Sequence, residues 1–401
     1  MKKTIFWVFE YKYNKIYENR YQIGYLSKDF KTFIIDFSKL FSSSLKREVK
    51  KNKSKKKVNT ISKLKDFKKI LCKNNPNYTV LNGGENFKRE IEKIIRKNST
   101  STKIVEFYNG SLPEYIPIYY KYATLKVIFS SKIINFFPEL CKFFFNIICL
   151  NFKKFLFSKK KERKYKTDIL FYAGKSTLFM KNLKNKFIEK KFSSPSFDYD
   201  KFLQSYNYPK KKILSKKYAV FLDGMALHHD DFKSPDEPDA PVTKKYFEEM
   251  NNFFSIFEKK FDLKVVIALH PTCDIKNYSK FFNNRACFKN KTIELVRDSS
   301  MVLLHPATTA VSYPVIYKKP ITFLITNEMN NSFTFYKWAL IKQKLFRLNF
   351  LNISEIKNEE FFVNFKINKE IYNYYYFNFI NSCKLKDRKK NLYDIILKNL
   401  N

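Results

Sequence analysis

Short, almost entirely apolar runs in the second half of the chain alternate with segments of helical periodicity. Val265–Leu269 and Met301–Leu304 are two such runs, and residues 242–260 and 308–317 have the apolar spacing of helices. Strands without polar positions are typical of parallel sheets that are covered by helices on both faces. The alternation therefore predicts an α/β fold built on a parallel sheet.

The length of the chain, 401 residues, is too great for one ordinary core and predicts two domains. The first forty residues also have the order strand, helix, strand, so both domains are expected to be Rossmann-like. We predict an N-terminal domain over 1–158, a C-terminal domain over 165–345, and a helical segment over 346–401 that packs back across the junction. The lysine cluster 159–161 is the expected linker.

The formal net charge of +41 has to be explained before it is interpreted. Only nine of the 78 basic residues are arginine, and lysine, asparagine, isoleucine and phenylalanine are abundant together, as an AT-rich coding sequence would produce. Nucleic-acid recognition favours the bidentate fork of arginine, so no nucleic-acid partner is expected. An anionic membrane surface or a phosphorylated substrate remains compatible with the lysines.

The segment 127–157 is strongly apolar and aromatic, yet its longest run without charge, Phe143–Phe152, has ten residues. A membrane-spanning helix needs about twenty. Two interpretations stay open, an interfacial segment held by flanking lysines and a core helix of the first domain. No secretory signal precedes the first strand, and the cysteines have no CxxC spacing, so we expect a cytoplasmic protein, peripheral on the inner face of the membrane.

All four histidines lie within residues 228–305, and two of them, His270 and His305, follow an apolar strand and precede proline. Ligands of open parallel sheets bind beyond the carboxyl ends of the strands, where these two rings are expected. An imidazole there can donate to a phosphate group, or it can be structural. The pair His228-His229 points to opposite sides of an extended segment, so we predict no metal site.

Two adjacent threonines, Thr308 and Thr309, follow the strand that ends before His305 and begin the next helix. A helix start presents unpaired N–H groups and a partial positive charge, and two hydroxyls add donors for phosphate oxygens. The alternative is that Thr308 only caps the helix.

Asp223 and Gly224 directly follow the apolar strand Tyr218–Leu222. The carboxylate is placed where a general base is needed, and the glycine allows a ligand to approach the backbone closely. Asp223 can equally cap the loop that follows.

The second half of the chain resembles the nucleotide-binding domain of GT-B glycosyltransferases of bacterial capsule and lipopolysaccharide biosynthesis. The resemblance covers about residues 165–330. Its motifs are Phe221-Leu222-Asp223-Gly224, Ala268-Leu269-His270-Pro271, and the run from Thr292-Ile293-Glu294 through His305 and Thr308-Thr309 to Lys318-Lys319-Pro320.

Within that class, these motifs resemble the acidic-Gly, His-Pro and Ser-Ser/Thr motifs of bacterial sialyltransferases and polysialyltransferases. The resemblance implies that His270 and Thr308-Thr309 hold the phosphate of a CMP-linked donor, with His305 and Gly224 beside them. That family has two acidic residues before the glycine, farther upstream and in the first domain, whereas Leu222 precedes Asp223 here.

The implied activity is metal-independent transfer of a sugar from a nucleotide-sugar to a lipid-linked or surface-glycan acceptor. Asp223 and His270 would be catalytic, and the nucleotide-sugar would be a co-substrate, with no further cofactor. The first domain would bind the acceptor. Alternatives are an epimerase or a CDP-glycerol-type polymerase of the same fold, and a non-enzymatic basic protein of the membrane surface.

Overall fold

The computed structural model describes residues 2–41, 57–110, 117–130, 166–180, 186–206, 212–224, 242–271 and 278–401, with the single residues 137, 141, 183 and 273. The chain divides into two compact units. Unit 1 comprises Met1–Ser111, Arg163–Tyr206 and Phe377–Asn401, and unit 2 comprises Leu112–Glu162 and Asn207–Tyr376.

The secondary structure of the described residues is an alternation of strands and helices. The strands are β1 Thr4–Phe9, β2 Lys31–Asp36, β3 Val58–Thr60, β4 Tyr78–Asn82, β5 Lys103–Tyr108, β6 Lys166–Tyr172, β7 Phe187–Ser193, β8 Tyr218–Leu222, β9 Lys264–Leu269, β10 Cys287–Lys289, β11 Met301–Leu304, β12 Ile321–Ile325 and β13 Leu351–Asn352. The helices are α1 Lys15–Arg20, α2 Ile23–Leu26, α3 Ser38–Phe41, α4 Leu64–Asn74, α5 Glu85–Asn98, α6 Pro117–Ile128, α7 Phe197–Tyr206, α8 Lys245–Phe261, α9 Thr292–Asp298, α10 Ser312–Ile316, α11 Asn327–Asn331, α12 Phe333–Phe346, α13 Lys369–Tyr375 and α14 Leu392–Leu400.

Each unit is built on one parallel sheet. The sheet of unit 1 has the order β3-β2-β1-β4-β5-β6-β7, and the sheet of unit 2 has the order β10-β9-β8-β11-β12-β13. The predicted fold class, two Rossmann-like α/β domains with parallel sheets, is thereby confirmed. The central strands are buried along their whole length, as their apolar sequences require.

In both sheets, the chain first adds strands on one side of the opening strand and then adds the remaining strands on the other side. From β8 the chain adds β9 and β10 on one side and then returns to add β11, β12 and β13 on the other. The reversal between β8 and β11 leaves a crevice at the carboxyl ends of these strands, which is the ligand site of doubly wound folds. In unit 1 the same reversal lies between β1 and β4.

The structure places β6 in the first sheet, whereas the sequence prediction made it the opening strand of the second domain. Phe171 of β6 stacks on Phe107 of β5 with ring centroids 4.9 Å apart, and the two strands pair in parallel. An apolar run predicts a buried strand but does not indicate its sheet. The edge strand β7 follows in the same sheet; its polar sequence gave no strand signal.

The predicted helical segment 346–401 is divided between the units after Tyr376. Helix α14 belongs to the core of unit 1, where Leu392, Ile396 and Leu400 are buried in one cluster with Trp7 of β1. No helix of the described ranges is long and apolar enough to cross a bilayer. Most of the segment 127–157, for which we predicted membrane contact or a core position, lies outside those ranges.

Candidate functional site

Three of the predicted site residues follow neighbouring strands at the carboxyl edge of the sheet in unit 2. Asp223 follows β8, His270 follows β9 and His305 follows β11, and β8 pairs with both other strands. The register brings Leu304 level with Leu222, so that Asp223 and His305 lie side by side at the strand reversal. Adjacent strands are about 4.8 Å apart, so the sheet gathers these residues at one edge.

His305 lies in the core below that edge and is only 3% exposed. Its Nδ1 lies 2.8 Å from the carbonyl oxygen of Leu324, and its Nε2 lies 2.8 Å from the hydroxyl of Tyr246. Because a carbonyl only accepts, Nδ1–H donates to Leu324 and Nε2 accepts from Tyr246. Burial lowers the pKa of His305 to about 4. The ring is neutral, both nitrogens are occupied, and the arrangement does not support the predicted contact with a nucleotide.

Asp223 is buried to 5% exposure on the face of the sheet that α8 covers. Its backbone N–H donates to the carbonyl oxygen of Ala268, 3.1 Å away, which joins the end of β8 to β9. Burial raises the pKa of Tyr246 and of Tyr278, and the charge of Asp223 raises both further. Burial and then Asp223 likewise raise the pKa of the Cys287 thiol to about 11. The carboxylate therefore lies among groups that stay protonated, although the hydroxyl proton of Tyr246 is already donated to His305.

The segment predicted as one helix over residues 308–317 is a 3₁₀ turn, Thr309–Val311, followed by the short helix α10. The hydroxyl of Thr308 accepts from the backbone N–H of Ala310, 3.2 Å away, so this residue caps the turn. Thr309 is exposed, and its hydroxyl can reach a ligand. The capping interpretation therefore applies to Thr308, and Thr309 is the better placed phosphate donor of the two.

His270 and Gly224 lie at the rim of the same edge. His270 is partly exposed, and its carbonyl oxygen accepts from the N–H of Cys273, 2.9 Å away, in the turn that leaves β9. A Cβ built on Gly224 would meet no atom of the described part of the chain within 4 Å. This glycine is partly exposed, and no described side chain fills the space beside it.

The segment that contains His228 and His229 lies outside the described residues. Within the ranges that are described, no three His, Cys, Asp or Glu side chains come together as a metal site. Sequence reasoning missed Tyr246 and Tyr278, the two phenols around Asp223 and His305. The signal for Tyr246 is its position in the first turn of α8, which packs on the strand ends.

No protein-family model matches the chain, and no curated protein matches its sequence. Several solved structures are similar to it. The UDP-GlcNAc 2-epimerase of Methanocaldococcus jannaschii, in complex with UDP-GlcNAc and UDP, is 13% identical over 93% of this chain and 98% of its own, with a TM-score of 0.40. MurG of Acinetobacter baumannii is 7% identical over 99% and 100%, with a TM-score of 0.44. UGT2 of Phytolacca americana, complexed with UDP-2fluoro-glucose and pterostilbene, is 9% identical over 98% and 94%, with a TM-score of 0.43. Likenesses this distant assign neither substrate nor reaction.

Proposed function

We propose that this protein is a metal-independent glycosyltransferase that binds a nucleotide-activated sugar at the carboxyl edge of the sheet in unit 2. The observation that carries the proposal is the strand reversal between β8 and β11, with a buried carboxylate, a partly exposed glycine and an exposed threonine around it. This strand order is the one that binds nucleotides in doubly wound folds.

The proposed chemistry is a displacement at the anomeric carbon of the donor sugar. Asp223 takes the proton from an acceptor hydroxyl, the new bond forms between that oxygen and the anomeric carbon, and the bond from the anomeric carbon to the phosphate oxygen breaks. His270, Thr309 and backbone N–H groups of the turn that begins at Thr308 meet the growing charge of the phosphate. Burial, and then the charge of Asp223, raise the pKa of Tyr278, so its phenol stays protonated beside the carboxylate and can help to orient it.

The finer parts of the proposal come from the sequence motifs. The resemblance to sialyltransferases and polysialyltransferases favours a CMP-linked donor. The acceptor would be a capsule, lipopolysaccharide or lipid-linked glycan, and the lysine-rich surface would hold the protein on the anionic inner face of the membrane.

The rival with a specific observation in its favour is a basic binding protein without catalytic activity. The core position of His305 and the capping role of Thr308 are structural, as this rival requires of both residues. An epimerase or a CDP-glycerol-type polymerase would share the phosphate site and would differ in the product formed from the donor.

Thermal unfolding in the presence of CMP, UDP, GDP and CDP tests the nucleotide site. A nucleotide at about a hundred times its dissociation constant adds about 2.7 kcal/mol to the stability of the folded state. We expect one nucleotide to stabilise the protein, and the Thr309→Ala variant to respond less at the same concentration. Thr60→Ala is the matched control, because Thr60 is an exposed threonine of unit 1. Equal melting temperatures with and without all four nucleotides would rule the proposal out.

Product analysis with a panel of nucleotide-sugars then separates the enzyme classes. A transferase releases the nucleotide and forms a glycosylated acceptor, whereas an epimerase returns an isomeric nucleotide-sugar. Full activity in a folded His270→Ala, Thr309→Ala double variant would remove these residues from the mechanism.

A further inference from the structure

Helix α6 has two apolar faces, and within the described part of the chain only one of them is packed. Ala123 and Val127 are fully buried and form a cluster with Tyr336, Leu340 and Ile341, all within unit 2. This face accounts for the position of the helix on α12.

The other apolar face of α6 is exposed. Ile118, Leu125 and Phe129 are 69%, 43% and 83% exposed. Phe129 continues the helical geometry, because its N–H donates to the carbonyl oxygen of Leu125, 3.0 Å away. At about 100° per residue, these three side chains fall within about 40° of one another and opposite the buried pair Ala123 and Val127. We call Ile118, Leu125 and Phe129 the apolar ridge.

Positive charge lies on both sides of the apolar ridge. Lys121 and Lys126 are exposed, lie to either side of it on the helical wheel, and form no ion pair with any described residue. The sequence from Tyr115 to Pro138 contains three lysines and no acidic residue. An apolar strip with lysine flanks is the arrangement of an interfacial helix, which inserts its apolar side chains while its lysines contact anionic headgroups.

We infer that the apolar ridge is the surface by which this protein docks on an anionic bilayer. The inference rests on the proposed function at an anionic membrane surface, and it names the residues that contact the membrane. A second copy of the chain fits less well, because two ridges packed against each other would bring the lysines of both helices together. The negative headgroups of a bilayer instead neutralise Lys121 and Lys126.

Vesicle sedimentation of the full-length protein tests the inference. We compare vesicles of phosphatidylcholine with vesicles that contain about one third phosphatidylglycerol, at low salt and at roughly 1 M NaCl, where the Debye length is about 3 Å. The many surface lysines give electrostatic binding to anionic vesicles in every variant, and high salt weakens this binding. Binding by insertion of the apolar ridge persists at high salt. We expect Ile118→Ser, Phe129→Ser to weaken the salt-resistant binding at least about tenfold.

The matched apolar control is Phe362→Ser, because Phe362 is also 83% exposed but lies elsewhere in unit 2. For the lysines, Lys121→Glu, Lys126→Glu is compared with Lys216→Glu, Lys264→Glu, a pair of exposed lysines in the same unit. We expect the first pair to weaken binding to anionic vesicles more than the second. Equal losses in ridge and control variants would overturn the inference.

A tryptophan at Phe129 gives a second measurement. Trp7 and Trp338 are buried, so the emission of a Phe129→Trp variant should shift to the blue on anionic vesicles and be quenched by brominated lipid. An unshifted spectrum would contradict insertion, as would a lipid-free dimer in sedimentation velocity that the ridge variant abolishes. Nucleotide stabilisation should be unchanged in the ridge variants, so failure of the docking surface and failure of the nucleotide site are distinguishable.

Discussion

The six strands of the sheet in unit 2 follow the same order as the first six strands of unit 1, but different side chains lie where the two orders reverse. In unit 1 the carboxylate of Glu10 accepts from the N–H of Gly84, 2.6 Å away, at the start of α5. A Cβ built on Gly83 would lie 2.7 Å from the side chain of Glu10 and 2.6 Å from Phe87. In unit 2 a Cβ built on Gly224 would meet no described atom within 4 Å.

The comparison shows that the strand order forms a crevice in each unit, whereas the side chains determine whether a ligand can bind there. Strand reversal makes a crevice in both sheets, and the helix start beside it attracts a negative charge. In unit 1 the carboxylate of Glu10 already accepts from a backbone N–H at that helix start. In unit 2 no described side chain fills the space beside Gly224, and Thr309 is exposed, so the ligand site is expected in unit 2.

The largest expected effect comes from replacing the carboxylates of Asp223 in unit 2 and Glu10 in unit 1 by amides. Asp223→Asn should lower the transfer rate by about 10²-fold or more, because a general base contributes roughly 10² to 10⁴. Glu10→Gln should change the rate by less than about twofold and cost about 1 kcal/mol of stability, since it removes a charge at a helix start. The measurement is the initial rate with the donor that stabilises the protein. A larger loss in Glu10→Gln than in Asp223→Asn would reverse the roles of the two crevices.

The next effect concerns the two glycines. Gly83→Ala should destabilise unit 1 by roughly 1–3 kcal/mol, because the new methyl group overlaps Phe87 and Glu10. Gly224→Ala should change stability by less than about 0.5 kcal/mol and still reduce the stabilisation by nucleotide, because its methyl group enters the crevice.

The two tryptophans of the chain make this measurement specific, since Trp7 belongs to unit 1 and Trp338 to unit 2. Urea unfolding is followed in a Trp338→Phe background for unit 1 and in a Trp7→Phe background for unit 2. A stable Gly83→Ala variant would show that the first crevice has room, and the comparison would then lose its steric basis.

The sequence predicted the strands around the site closely, because apolar runs bounded by polar residues set their limits. Tyr218–Leu222 and Met301–Leu304 have the bounds that their apolar sequences indicate, and Lys264–Leu269 begins one residue before its apolar run. It did not predict the bond from Glu10 to Gly84 or the burial of His305. Both features depend on contacts between residues that are far apart in the sequence, which local sequence patterns do not reveal. Gly84 lies 74 residues from Glu10, and Tyr246 lies 59 residues from His305.

The third effect is the response of each unit to pH. The pKa of His305 is lowered to about 4, so its neutral form stabilises unit 2 fully above about pH 6.5, and this contribution is lost as the pH falls towards 4. Between pH 7 and pH 5 the loss is about 2 kcal/mol. Unit 1 contains no histidine. Burial raises the pKa of its Glu106, but the charges of Lys88 and Lys186 outweigh burial and lower the pKa to about 2.

The contribution of Glu106 is therefore present above about pH 4.5 and is lost only as the pH falls towards 2, so acid should weaken unit 2 before unit 1. Urea midpoints of the two single-tryptophan backgrounds at pH 7 and pH 5 measure the difference. His305→Phe is the control, because it fills the same space without a titrating group and should remove most of the response of Trp338. If the pH response of the Trp338 signal persists in His305→Phe, the pH dependence belongs to the other histidines of unit 2. His305 would then not be the buried neutral ring that its hydrogen bonds to Tyr246 and Leu324 require.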